Sequence, residues 1–131
     1  VNTVKIIDGK LYGYNTDAHG FIEPLKQVYG DLENVKVAIL GAGGAARACV
    51  YALKKENADV TILARNIEKA KELAESFNVR LEEIANHKSQ IANFDIIVNS
   101  TPLGMKGKAE GETPLTAEQI KDAKLVYDLV Y

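Results

Sequence analysis

The stretch VAILGAGGAARA, residues 37–48, restricts what this chain can become more than any other. An apolar run ends at Gly41, and Gly41, Gly43 and Ala46 then fall in a G-x-G-x-x-A pattern between a strand period and a helix period. Each small residue has a physical task in that setting. Gly41 permits a tight turn, Gly43 leaves no side chain between the backbone and an approaching pyrophosphate, and Ala46 lets the helix lie close to its strand. The helix then directs unsatisfied N–H groups and the positive end of its dipole at an anion. The alternative use of such residues is plain helix-on-strand packing. The sequence around the loop favours a dinucleotide site, because strand, loop, helix and a second strand follow in register.

That succession continues downstream. Strand periods over Lys36 to Leu40 and Asp59 to Leu63 alternate with helix periods over Ala45 to Lys55 and Ile67 to Phe77. Parallel neighbours need a crossover long enough to hold a helix, so the pattern predicts a parallel sheet. NVRLEEIANHKSQI reads as a short edge strand and a short helix, and FDIIVNS as a buried strand. TPLTAEQIKDA reads as a helix capped by Thr113 or Thr116, and LVYDLVY as a final strand. Upstream, Asp8 and Gly9 sit inside an apolar stretch and predict a hairpin over Val4 to Tyr14. Asn15, Thr16 and Asp17 are helix-capping types. Phe21, Leu25 and Val28 then share a helical face, with Pro24 expected to kink or restart the helix and Gly30 to end it. The predicted class is α/β: a Rossmann-type, doubly wound, mainly parallel sheet, truncated, preceded by a β-hairpin and a connecting helix. A boundary falls near Gly30 and Asp31, giving residues 1–30 as the end of one domain and 31–131 as the nucleotide domain. The chain begins in mid-pattern with VNTV, without an initiator methionine, and is read as a piece of something longer.

Composition narrows the partner. Sixteen basic and eighteen acidic residues give a net charge of −2, with no run of either sign that suggests nucleic acid or a membrane surface. A small molecule is the expected partner, and a homodimer through sheet faces left bare stays open. A single cysteine, Cys49, permits no internal disulfide and fits a reducing cytosol. It shares a helical face with Ala46, Val50 and Leu53 and is expected to be buried. His19 and His87 have no second ligand at metal spacing, so no metal is expected.

The second strand of the unit should deliver an acid to the adenosine ribose of NAD. Here the turn reads Ala64, Arg65, Asn66, with Lys69 one helical turn on. A guanidinium matches phosphate geometry, whereas a carboxylate would repel it, so the inferred preference is for the 2′-phosphate of NADP. A solvated arginine at a helix start is the alternative.

At VNTV, GYNTD, GAGGAARA, ARNIEKA, NSTPLGM and DLVY, in that order, the chain resembles shikimate dehydrogenase over essentially all of its 131 residues. The resemblance implies reduction of 3-dehydroshikimate to shikimate with NADPH in a cleft between a substrate domain and a cofactor domain. It implies that Asp17 is catalytic at the reacting alcohol beside a lysine, and that Asn2, Asp17 and Tyr131 contact substrate. It assigns Gly41, Ala42, Gly43, Gly44 and Ala45, with Thr101 and Leu129, to the cofactor beside Arg65, Asn66 and Lys69. The family's lysine lies upstream of VNTV, and no lysine here stands in that context, so little or no turnover is expected of this chain alone. Ala64 departs from the family's usual asparagine. Two other readings stay open: a quinate/shikimate dehydrogenase with relaxed cofactor choice, and a non-catalytic module that senses NADP. The cofactor domain of glutamyl-tRNA reductase is comparable, but it would not explain VNTV and NTD ahead of the glycine loop.

Overall fold

The computed structural model describes residues 1–87, 91–107 and 109–130. The chain opens with a two-stranded antiparallel hairpin, β1 (Thr3–Ile7) and β2 (Lys10–Tyr14). Asp8 and Gly9 both take positive φ, 49° and 74°, which is what a two-residue turn of right-handed strand twist demands. Helix α1 (Asp17–Tyr29) follows and ends on Gly30, whose N–H donates to the Lys26 carbonyl at 2.9 Å. Pro24 does not break this helix. The carbonyl to which its missing N–H would have donated belongs to Gly20, an exposed residue that solvent reaches.

Five strands form the main sheet in the order β5 (Arg80–Glu83), β4 (Asp59–Ala64), β3 (Lys36–Leu40), β6 (Ile96–Asn99), β7 (Leu125–Asp128), every pair parallel. Two crossover helices, α2 (Gly44–Lys55) and α3 (Ile67–Phe77), pack with α1 on one face. Their apolar sides meet Val37, Ile39, Val60, Ile62, Ile96 and Val98. The opposite face, made by Ala38, Leu40, Leu63 and Ile97, is covered by Ile91, Phe94 and Leu115. Central strands covered on both faces are continuously apolar rather than alternating, and KVAIL and DIIVN have that character. Each fully buried Ile or Leu contributes about 2 kcal/mol by leaving water.

The second face is more lightly built than the sequence suggests. Where a short helix is expected after β5, the chain makes 3-10 turns at Ile84–His87 and Ile91–Asn93, and residues 88–90 lie outside the described residues. Helix α4 (Ala117–Ile120) is a single turn. Of its two candidate caps the chain uses Thr116, in a reciprocal capping box with Gln119, while the Thr113 hydroxyl donates to the Leu115 carbonyl at 2.7 Å. Val28 also departs from expectation. It is 74% exposed although Phe21 and Leu25 on its face are buried, because the last turn of α1 overhangs the edge strand β7 and flanks an open groove with Leu125 and Val126.

Strand order reverses direction between β3 and β6. The connection leaving β3 and the one leaving β6 run to opposite faces, which opens a crevice at the carboxyl ends of these two strands. That crevice holds the residues considered next.

Candidate functional site

Two cavities flank the loop that leaves β3. The first, of about 530 Å³, is lined by Gly41, Ala42 and Gly43 on its floor, Ala64, Arg65, Asn66 and Lys69 at one end, and Ser100 to Leu103 opposite. Gly41 adopts φ +101°, and a Cβ there would meet Thr101 Cγ2 at 3.1 Å and Ser100 Oγ at 3.2 Å. Its backbone therefore lies against the β6 exit as only glycine allows. Gly43, the N-cap of α2, has an extended backbone, and a Cβ there would meet nothing within 4 Å. No side chain caps α2, and its first turn carries no acid. The orphan N–H groups thus face an open space with no acid of their own first turn competing, which is the donor set of a phosphate site; the one acidic residue lining this cavity is Glu112.

Arg65 and Lys69 are exposed, and among the described residues neither is engaged in an ion pair. They stand beside the cavity as two uncompensated cations. Asn66 has a double position: its side-chain oxygen accepts the Lys69 N–H at 3.0 Å and caps α3, and the residue also lines the cavity. Ala64 ends β4 buried and offers no side-chain polar group.

The second cavity, of about 450 Å³, lies beyond the loop toward α1 and β7. Thr16, Asp17, Gly20, Phe21, Ala45, Ala48, Cys49, Tyr127 and Leu129 surround it. Phe21 stacks on Tyr127 at a centroid distance of 5.3 Å and joins α1 to the edge strand. Asp17 Oδ1 accepts a hydrogen bond from Asn2 Nδ2 at 2.5 Å, so two residues 15 positions apart meet at the mouth of this cavity. Asn2 Oδ1 accepts in turn from the Thr16 N–H at 2.9 Å and from the hydroxyls of Thr16 and Thr3 at 3.2 Å. Thr16 is consequently not a side-chain cap for α1, and the Asp17 N–H is taken by Asn15 Oδ1 at 3.1 Å. Cys49 is buried, and desolvation, reinforced by the negative charge of Asp17, pushes its thiol up to about 12. It stays protonated and is no nucleophile at neutral pH.

Of the residues singled out in the sequence, Gly41, Ala42, Gly43, Arg65, Asn66, Lys69 and Thr101 converge on the first cavity, and Asp17, Ala45 and Leu129 on the second, while Gly44 lines neither. Tyr131 lies outside the described residues. Among the described residues no group of three or more His, Cys, Asp or Glu is placed to hold a metal, and no helix is long and apolar enough to cross a membrane.

One residue escaped the sequence reading. Asn99, 4% exposed at the end of β6, uses both ends of its amide. Its oxygen accepts from the Thr101 N–H at 3.0 Å and the Thr101 hydroxyl at 2.7 Å. Its NH₂ donates to Asp128 Oδ1 at 3.0 Å and, more weakly, to the Leu103 carbonyl at 3.4 Å. The exits of β6 and β7 are tied together through it. An asparagine closing an apolar strand was the only available signal.

A match to the family described as shikimate / quinate 5-dehydrogenase spans residues 23–124. Among relatives, the NADP(+) shikimate dehydrogenase of Methanococcus maripaludis strain C6 is 43% identical, the match covering 100% of this chain and 48% of that protein. Among solved structures, the Thermus thermophilus shikimate 5-dehydrogenase in complex with NADP(H) and shikimate is 36% identical with a TM-score of 0.83, covering 100% of this chain and 48% of that one. The Corynebacterium glutamicum quinate dehydrogenase in complex with NAD is 30% identical with a TM-score of 0.87, covering 100% and 49%. The chain spans about half the length of the curated relatives it matches. With a family match over most of its length and glycine loop, basic turn and polar cleft in one arrangement, the chain belongs to the shikimate/quinate 5-dehydrogenase family.

Proposed function

We propose that this chain is the NADP-binding part of a shikimate dehydrogenase, with residues 1–30 forming the end of the substrate domain and residues 31–131 the cofactor domain. The observation that carries the reading is the pair of cations, Arg65 and Lys69, in no ion pair among the described residues, at the far end of a cavity whose floor is the open glycine loop. A pyrophosphate fits over Gly41 to Ala45, where nothing occupies the space in front of Gly43. Arg65, Asn66 and Lys69 take the 2′-phosphate, Thr101 borders the adenosine side, and Leu129 borders the nicotinamide side. When bound, the nicotinamide supplies or accepts the hydride.

Substrate contacts fall to Asn2, Asp17 and Tyr131. Asn2 fixes the Asp17 carboxylate through Oδ1 and leaves Oδ2 for the alcohol oxygen of shikimate. Asp17 there holds the proton that leaves the alcohol on oxidation and returns on reduction of 3-dehydroshikimate. The family's catalytic lysine belongs beside this carboxylate, and among the described residues none lines the cavity around Asp17, so the 131-residue chain alone is expected to bind NADP with little turnover. Robust shikimate-dependent NADPH formation by the chain would refute that expectation.

Calorimetry with NADP and NAD tests the cofactor choice. Loss of a charge-assisted phosphate contact costs about 1.5–3 kcal/mol, so Arg65→Ala is expected to weaken NADP binding by roughly 10- to 100-fold and leave NAD binding unchanged. Equal losses for both would defeat the phosphate role. A second reading, quinate/shikimate dehydrogenation with relaxed cofactor choice, is favoured by the likeness to the quinate dehydrogenase bound to NAD. Comparable wild-type affinities for the two dinucleotides would support it over the first.

A further inference from the structure

Gly20 occupies the fourth position of α1, where its N–H donates to the Thr16 carbonyl at 2.9 Å in ordinary helical fashion. Its φ is not positive, so the conformational freedom of glycine is unused. Packing does not call for glycine either, since a Cβ at this position would meet no atom within 4 Å beyond its chain neighbours and the backbone of its own helix. Helix propensity argues against it, because glycine is the poorest interior residue after proline. The empty space in front of Gly20 is the 450 Å³ cavity that also borders Asp17, Ala45, Ala48 and Leu129.

The glycine loop separates that cavity from the one holding Arg65. A dinucleotide with its 2′-phosphate at Arg65 and its pyrophosphate over Gly43 must send its second nucleoside to the other side of the loop, past Ala45, toward Asp17 and Leu129. We propose that Gly20 is a specificity-determining residue, its missing side chain leaving room in the cleft wall for the nicotinamide riboside half of the cofactor. The inference rests on the reading of the site as an NADP site and adds a residue that neither the glycine motif nor the basic turn contains. It has one structural rival: the Pro24 ring presses toward the carbonyl four residues back, which is that of Gly20, and glycine could serve only to ease that contact.

The two accounts differ in sign. Gly20→Ala and Gly20→Leu in the 131-residue chain are compared with wild type by thermal melting and by calorimetry with NADP and with 2′,5′-ADP, which has the adenosine and its 2′-phosphate but no nicotinamide. The expected result is a Tm rise of about 3 °C for Gly20→Ala, since a better helix former enters open space. For Gly20→Leu the NADP Kd should rise about ten-fold or more, with Gly20→Ala between it and wild type, while 2′,5′-ADP binding changes by less than roughly two-fold. Unchanged NADP affinity in Gly20→Leu, equal wild-type affinities for the two ligands, a parallel loss of both, or a lower Tm in Gly20→Ala with both affinities intact would each overturn the proposal. Wild-type chain that binds neither ligand would overturn the NADP reading itself together with this one. Wild-type binding of both, with Gly20→Leu indistinguishable from it, would overturn the role of Gly20 alone.

Discussion

Replacing Gly41 and Gly43 by alanine, one at a time, should separate the part of the glycine loop that serves the fold from the part that serves the ligand. At Gly41 the backbone sits at φ +101°, beyond the left-handed well that ordinary residues reach, and holding alanine there costs about 1–3 kcal/mol. The new methyl would also press on Thr101 Cγ2 and Ser100 Oγ, at 3.1 and 3.2 Å. Neither neighbour retreats freely. Ser100 donates to the Leu40 carbonyl at 2.6 Å, and Thr101 is bonded to Asn99 through both its N–H and its hydroxyl. Sacrificing one of those bonds adds about 1 kcal/mol, for a total near 3 kcal/mol. With an unfolding entropy of about 2.1 cal/mol/K per residue, the Tm of Gly41→Ala should fall by about 10 °C. Gly43 has φ −85° and open space before it, so Gly43→Ala should melt within about 2 °C of wild type. Its methyl instead enters the space proposed for the pyrophosphate, and the NADP Kd should rise at least about ten-fold. Thermal circular dichroism and calorimetry on the two variants read both quantities. A Gly41→Ala that melts like wild type, or a Gly43→Ala that is stable and binds NADP undiminished, refutes the division.

Asn99→Asp keeps the shape and the acceptor for Thr101 but sets a second carboxylate against Asp128. Burial and the like charge should raise its pKa, so the variant is expected to approach wild-type stability at pH 4.5 and to lose about 2–4 kcal/mol by pH 8, read from urea melts; a loss that does not depend on pH would contradict this. Asp95 lies at the opposite end of the sheet, where the Lys124 ammonium and then the Lys36 N–H hold its carboxyl below the usual range. A depressed acid contributes stability that is present above the unfolded value of about 4 and is lost as pH falls through the folded one. Wild type should therefore exceed Asp95→Asn in Tm at pH 7 and lose that lead by pH 2, and a constant difference over the range would argue against the clasp.

What the sequence discloses and what it hides divide along the range of the interactions. Bounds for β3 and α3 come out of the sequence residue for residue, because a buried parallel strand is uniformly apolar and α3 starts on a local cap, Asn66 to Lys69. The hairpin turn is equally local, since Asp8 and Gly9 tolerate positive φ. Val28 is misread because helical periodicity identifies a face but not where the covering sheet stops. Asn15, Thr16 and Asp17 look like caps in isolation, yet Asn2, 14 positions upstream, takes the Thr16 N–H and hydroxyl. Asn99 is the extreme case. Its partner Asp128 is 29 positions away, and no spacing rule on one strand reports what stands on its neighbour.

The two ends of the sheet differ in a way that follows from this. At the amino ends of β3, β6 and β7 a single carboxylate, Asp95, satisfies the Lys36 N–H and the Lys124 ammonium, and the Lys124 N–H donates to the Asp95 carbonyl at 2.9 Å. Donors and acceptors there are matched within the chain. At the carboxyl ends the matching is incomplete among the described residues: the N-terminal N–H groups of α2 have no side-chain cap, Arg65 and Lys69 are in no ion pair, and Asp17, which lines the second cavity, has one oxygen bonded. Apart from Glu112, which lines the same cavity, the unmet groups beside Arg65 and on the helix are donors, and the unmet group at the other end is an acceptor. A ligand that completes the set must carry negative charge at one end and a hydroxyl-bearing partner at the other, which is the polarity of a phosphorylated dinucleotide approaching an alcohol.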